Sequence, residues 1–121
     1  MQVLITGGTG LVGSKVTGDI RLSSKDADLR DWNQTFAIFD KYKPEKVIHC
    51  AAKVGGIGGN MNYKGEFFYD NIMMNTNVLD AAKEHKVKKV LSCLSTCVYP
   101  DKVSYPLTED QIHNGPPHSS K

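Results

Sequence analysis

The sequence predicts an α/β fold: a Rossmann-like doubly wound parallel sheet of about four strands, truncated relative to a complete domain of this type. Three observations carry that prediction. A short apolar run, QVLIT at residues 2–6, stops at the glycines Gly7, Gly8, Gly10 and Gly13, as a buried parallel strand does where it turns toward a helix. Further apolar runs recur at residues 20–23, 46–52 and 89–94. Helical periodicity fills the longer intervals between them, and strands alternating with helices give an open parallel sheet.

The 121 residues are 40% hydrophobic and 23% charged, with a net charge of +2. That balance belongs to a soluble globular domain or a piece of one, and excludes a collagen, a disordered tail or a coiled coil. The cations are thinly spread with no basic stripe, which argues against nucleic acid as a partner. No stretch approaches the roughly 20 apolar residues of a membrane span, and the start lacks the regions of a secretory signal. No membrane partner and a cytoplasmic location are therefore expected. Cys50, Cys93 and Cys97, an odd set, make no disulfide framework, and neither they nor the four histidines have zinc-site spacing. Reduced thiols are expected, with Cys93 packed inside its strand.

The elements follow in order. Residues 2–6 are the first strand. Residues 11–17 begin a helical pattern that Gly18 and Asp19 cut short before a second strand at residues 20–23. Asp31 is a good N-cap, and Trp32, Phe36, Phe39 and Tyr42 share one face of a helix that Pro44 ends. KVIHCAA at residues 46–52 is the third strand, with His49 a satisfied sheet histidine. Gly55, Gly56, Gly58 and Gly59 then predict a flexible loop. A long helix over residues 67–85, burying Phe68, Ile72, Leu79 and Ala82, leads to the fourth strand at residues 89–94. Beyond Ser95, the prolines Pro100, Pro106, Pro116 and Pro117 predict a loop suited to face a substrate.

The glycine-rich turn fits two registers, Gly8-Gly10-Gly13 as G-x-G-x-x-G and Gly7-Gly10-Gly13 as G-x-x-G-x-x-G. In either, Gly10 lets the backbone approach a pyrophosphate, Gly13 lets a helix pack on the sheet, and the helix start offers N–H groups to the phosphates. A turn using glycine only for its dihedral freedom is the plain alternative. Cofactor choice should be readable at the end of the second strand, where an acid binds a ribose 2′-hydroxyl and a basic, hydroxyl-rich site accepts a 2′-phosphate. Ser23, Ser24 and Lys25 favour NADP over NAD, with Asp19 and Asp26 near enough to keep NAD open.

A strand ending in a serine and a thiol, together with TGGTGLVG at residues 6–13 and VIHCAA at 47–52, resembles the extended short-chain dehydrogenase/reductase family. SSKDADL at residues 23–29, AAKVGGI at 51–57, SCLSTCVYPDK at 92–102 and IHNGPPH at 112–118 narrow the likeness. They are similar to the branch of NADPH-dependent epimerase-reductases that act on a nucleotide-sugar substrate, GDP-4-keto-6-deoxy-mannose, to give GDP-L-fucose. The resemblance spans nearly the whole chain but only the first part of the family's two-domain length. It implies that Gly7, Gly10, Leu11, Val12 and Gly13 hold the pyrophosphate and Ser23, Ser24 and Lys25 the 2′-phosphate. It also places Asp28 and Leu29 at the adenine and Ala51, Ala52 and Val54 on the nicotinamide side. Ser95 matches the serine of a Ser-Tyr-Lys catalytic set, and Cys97 an acid/base cysteine. A homodimer is the assembly implied for the full-length family.

Two departures qualify the likeness. Nine residues separate Gly13 from Ser23, whereas the fingerprint expects its ribose residue about 20 further on. The first helix is thus expected to have at most two turns. The tyrosine and lysine that follow the 112–118 segment in the family are not in these residues, and the Tyr-x-x-x-Lys at Tyr42 and Lys46 is expected at the wrong edge of the sheet. This portion is accordingly expected to be inactive alone, with its substrate domain absent. A non-catalytic dinucleotide-binding remnant and another sugar-nucleotide epimerase or dehydratase are the alternative readings.

Overall fold

The computed structural model describes residues 2–117 and 119, and the chain divides into two units, Met1–Lys53 with Gly65–Cys93 and Val54–Lys64 with Leu94–Lys121. The first unit contains a parallel sheet of β1 (Val3–Thr6), β2 (Ile20–Arg21), β3 (Lys46–His49) and β4 (Lys89–Ser92), in the order β2-β1-β3-β4. The Rossmann-like fold class is as predicted. The sheet reverses direction at β1, one strand earlier than in the 3-2-1-4-5-6 arrangement, because β3 pairs with β1 and not beyond β2.

Register builds the core. Leu4 lies opposite Ile20 on one side and Val47 on the other, and Val47 opposite Val90, so one row of apolar side chains crosses the sheet. Against this face pack Phe39 of α1 (Trp32–Tyr42) and Val78, Ala81 and Ala82 of α3 (Lys64–Glu84), all buried. The start of α1 is as predicted: Asp31 accepts from the amides of Asn33 and Gln34 at 2.8 and 3.2 Å. Lys43 ends the helix in the left-handed conformation, φ 45°.

The α3 face departs from expectation. Ala82 is buried, but Phe68, Ile72 and Leu79 are exposed and Asp70 and Asn77 are buried instead. Each polar residue has a partner that makes its burial affordable: Asp70 receives Arg30 at 3.3 Å, and Asn77 donates to the Leu29 carbonyl at 2.9 Å. The glycine-rich segment expected to be a loop carries a helix, α2 (Gly56–Asn62), in the second unit. Among the described residues beyond Ser95, that unit has two short 3₁₀ helices, Thr96–Val98 and Glu109–His113, and no longer element, in keeping with the expected loop.

The largest correction lies between β1 and β2. Residues 11–17 form successive turns and no helix. The amide of Ser14 reaches back to Gly10 at 3.0 Å and that of Lys15 to Val12 at 2.9 Å, one helical turn that does not continue. A parallel crossover ordinarily needs a dozen or more residues, and residues 7–19 must already supply the glycine turn and the return to β2. Carbonyls that a longer helix would satisfy internally are taken by Arg21, whose guanidinium donates to Gly13 and Val16 at 2.5 Å each.

The sheet's second face is consequently thin. Alternation puts Ile5, Ile48 and Leu91 there in one row. Ile5 is fully buried under the crossover, while Leu91 at the edge strand β4 is 53% exposed. Cys93 lies one residue past β4 and is exposed, not packed as expected. An unpaired edge strand with an apolar outward residue is a template for pairing with another copy. The isolated 121-residue chain is expected to run as more than a monomer on gel filtration, and Leu91→Lys to shift it toward monomer; a monomeric peak from the unsubstituted chain would overturn the expectation, and unchanged association of the Leu91→Lys protein would remove the edge as its cause.

Candidate functional site

The carboxyl ends of β1 and β3 are drawn together by one buried network. Thr6 Oγ1 accepts the amides of Cys50 and Ala51 at 3.1 and 3.2 Å and lies 2.6 Å from His49 Nδ1. A hydroxyl oxygen has two acceptor sites and one proton. With both sites filled by amides, the proton is donated to Nδ1, so His49 carries its own proton on Nε2 and donates it to Asn75 Oδ1 at 2.7 Å. Burial holds the His49 pKa below its ordinary 6.5, outweighing the bond to Asn75 that favours the charged form. His49 is thus the satisfied sheet histidine the sequence predicts.

Gly7 follows immediately, at φ 62°, with Ala51 so close that a Cβ on Gly7 would stand 2.8 Å from its amide nitrogen. Gly13 folds back on the same turn: a Cβ there would stand 2.1 Å from the Gly7 carbonyl oxygen. The amides of Gly8 and Gly10 are used internally, by Leu22 at 2.7 Å and Gly7 at 3.0 Å. Those of Leu11, Val12 and Gly13 make no hydrogen bond among the described residues, and Leu11 and Val12 are exposed. The expected helix start and its dipole are absent, so any phosphate held here is held by loop amides.

Beside this turn lies a pocket of about 90 Å³ whose lining includes Gly7, Ser23, Ser24, Asp28, Leu29 and Ala51. Six residues expected at the cofactor therefore meet at the carboxyl ends of β1 and β3, the switch point of the strand order, which is where open α/β sheets bind ligands. Ser23 is bound into its own turn: its amide and hydroxyl donate to Asp26 at 2.7 and 3.0 Å, and its hydroxyl accepts the Lys25 amide at 3.2 Å. Those bonds hold the Asp26 carboxyl below the usual carboxylate range. Asp19 is remote from this edge, accepting from the Val3 amide at the start of β1. Asp28 is paired with Arg30 at 2.9 Å, which lowers its pKa and raises that of Arg30. Lys25 is exposed and makes no ion pair among the described residues, while Ala52 is exposed and lines no part of this pocket.

Ser95, Cys97 and Val54 belong to the second unit. Ser95 Oγ caps the first 3₁₀ helix by accepting the Cys97 amide at 3.1 Å, a bond that leaves its own proton free to donate. The Cys97 thiol is half-buried and Val54 is exposed. His118, at the end of the IHNGPPH segment, lies outside the described residues. Tyr42 ends α1 and Lys46 opens β3, so their Tyr-x-x-x-Lys sits at the amino edge of the sheet, as expected for a chance match. Sequence reasoning missed Thr6, Asn75 and Arg21; of these only Arg21, a cation in an otherwise apolar run, stands out in the residues themselves.

Known proteins bear on this arrangement. The model of the NAD dependent epimerase/dehydratase family matches residues 3–121. A GDP-L-fucose synthase of Dictyostelium discoideum is 49% identical, and a probable GDP-L-fucose synthase of Drosophila melanogaster 48%, each over 98% of this chain and 40% of the relative. The chain thus spans about 40% of the length of these relatives. The Dictyostelium alignment runs over 129 residues, more than the 121 here, so that relative carries residues within the span that this chain lacks. A crystal structure of a GDP-L-fucose synthetase from Naegleria fowleri bound to NADP superposes with a TM-score of 0.84 at 47% identity, over 98% of this chain and 38% of that one.

Two outcomes follow from the geometry. Gly13→Ala should cost about 1–3 kcal/mol in urea unfolding, because its Cβ cannot fit unless the turn opens. His49 is harder to protonate folded than unfolded, so its contribution to stability is whole above pH 6.5 and drains as pH falls through 6.5 toward the lower folded value. Unfolding midpoints should decline over that window, and the decline should be shallower in His49→Asn.

Proposed function

The chain belongs to the NAD dependent epimerase/dehydratase family, and from that membership we propose that residues 1–121 are the NADP-binding portion of an epimerase-reductase converting GDP-4-keto-6-deoxy-D-mannose to GDP-L-fucose. The observation that carries the reading is the pocket at the carboxyl ends of β1 and β3, whose lining includes Gly7, Ser23, Ser24, Asp28, Leu29 and Ala51. Its support is the 49% identity to a GDP-L-fucose synthase and the 47% identity to a synthetase crystallised with NADP. The residues fit such a cofactor: amides at Leu11, Val12 and Gly13 without a partner among the described residues, no room for a side chain at Gly7 or Gly13, and a cation at Lys25 with no ion pair among the described residues.

NADPH held by these residues would supply a hydride for C4 of the keto sugar. The Ser95 proton, left free by the cap, donates to the sugar's carbonyl oxygen and favours charge developing there. The carbonyl acidifies the C–H bonds at C3 and C5, and the Cys97 thiol is one of two groups that move protons there, a partner acid on the opposite face completing each inversion. The exposed row Phe68, Ile72 and Leu79 on α3 suits the helix face of a homodimer. No helix among the described residues is long and apolar enough to cross a membrane, which suits a cytoplasmic enzyme on nucleotide-sugar substrate.

One observation favours a second reading, a non-catalytic remnant that binds dinucleotide weakly or not at all: the crossover after the glycine turn has no helix. Calorimetric titration separates the two. The enzyme reading expects NADPH to bind at least tenfold more tightly than NADH, with Lys25→Ala removing most of that difference. Absence of binding by either nucleotide favours the remnant, and NADH binding as tightly as NADPH overturns the cofactor assignment.

A further inference from the structure

We propose that Cys50 and Cys93 form a redox-sensitive dithiol that closes to a reversible disulfide across β3 and β4. Their sulfurs are 3.8 Å apart. The last register pair of the two strands is His49 with Ser92, and the cysteines come one residue later. The Cys93 amide still donates to the His49 carbonyl at 3.2 Å, which keeps the backbones near strand spacing. That spacing is about 4.8 Å, inside the roughly 4.4–6.8 Å that a disulfide spans between Cα atoms. The Cys50 backbone is fixed by its amide, which donates to both the carbonyl and the hydroxyl of Thr6 at 3.2 and 3.1 Å. Closure therefore falls to side-chain rotation and to the freer Cys93.

Alternation places both side chains on the face of Ile48 and Leu91, away from the helices that bury Leu4 and Val47. Cys93 is exposed, so a small dissolved oxidant reaches it first; Cys50 is half-buried, and its thiol is pushed up by burial and by Cys93. The oxidant is a hydroperoxide. The Cys93 thiolate attacks its outer oxygen, the O–O bond breaks, and an alcohol (water, for hydrogen peroxide) leaves with the released proton. Cys50 sulfur then attacks the sulfenic sulfur of Cys93; the S–S bond forms, the S–O bond breaks, and hydroxide departs with the Cys50 proton as water. Two thiols are oxidised and one peroxide is reduced. The closed loop joins positions 43 apart, so the unfolded chain is restricted and the folded state is favoured.

Treating the protein with dilute hydrogen peroxide tests this. The expected result is loss of two thiols per chain, a Cys50–Cys93 linked peptide by mass spectrometry, and a raised unfolding midpoint, all reversed by dithiothreitol. Cys50→Ser and Cys93→Ser should each abolish the link and the midpoint shift. A Cys93–Cys97 link, a link between two chains, or accumulation of sulfinic acid at Cys93 without any link would each overturn the proposal. NADPH binding is not the readout, so failure of the dithiol leaves the cofactor reading standing.

Discussion

Thr6 has one hydroxyl with two lone pairs and one proton, and all three are committed at the end of β1. Two amides of the chain leaving β3 fill the lone pairs, and the proton goes to His49. The group is fully buried, so losing any of these bonds would strand a polar atom in a low-dielectric interior, at a cost larger than the bond's net worth in water. This fixes where β3 ends relative to β1. The proximity of Gly7 and Ala51 follows, and with it the demand for glycine at Gly7 and the pocket that opens beside it. The tautomer of His49 and the orientation of Asn75 are consequences of the same count.

The two faces of the sheet are unequally provided for. One is covered by α1 and α3 through a continuous apolar row, and its buried polar groups all have partners. The other depends on the crossover between β1 and β2, which is too short to place a helix over it. Arg21 compensates for the missing hydrogen bonds by serving two carbonyls, but it adds no apolar cover. Exposure therefore grows from Ile5 toward Leu91. Parallel sheets are stable when both faces are buried, and the thinness of this face links the exposed edge to the accessibility of Cys93.

What the sequence disclosed and what it hid divide along a physical line. The strands at residues 2–6, 46–52 and 89–94 and the helix from Asp31 are written in local pattern, and the structure has each within a few residues. The pocket residues were legible because glycine spacing and the SSKDADL segment have few other uses. The buried face of α3 was not legible, since Asp70 and Asn77 are buried only by virtue of Arg30 and Leu29, partners 40 and 48 positions away. The role of Thr6 was hidden for the same reason, as its partners lie 43 to 45 residues along the chain. The failed first helix was half legible: the spacing warned of crowding, but no pattern of residues announced that Arg21 would take over the carbonyls.

The charge balance around the pocket is set by which acids are already spent. Asp19 is bound to the backbone at the far edge of the sheet, Asp26 to Ser23, and Asp28 to Arg30, itself shared with Asp70. A carboxylate that accepts amide and hydroxyl protons, or pairs with a guanidinium, projects less negative potential into its surroundings than a free one. Lys25 has no such partner among the described residues, so it is the charged side chain beside Ser23 and Ser24 that is left to meet an incoming anion. A neutral ribose 2′-hydroxyl gains only a hydrogen bond from a cation there, and the carboxylates that would accept its proton are already engaged by other donors. A 2′-phosphate gains a direct attraction, and the proposed preference for NADP rests as much on the acids being occupied as on the lysine being present.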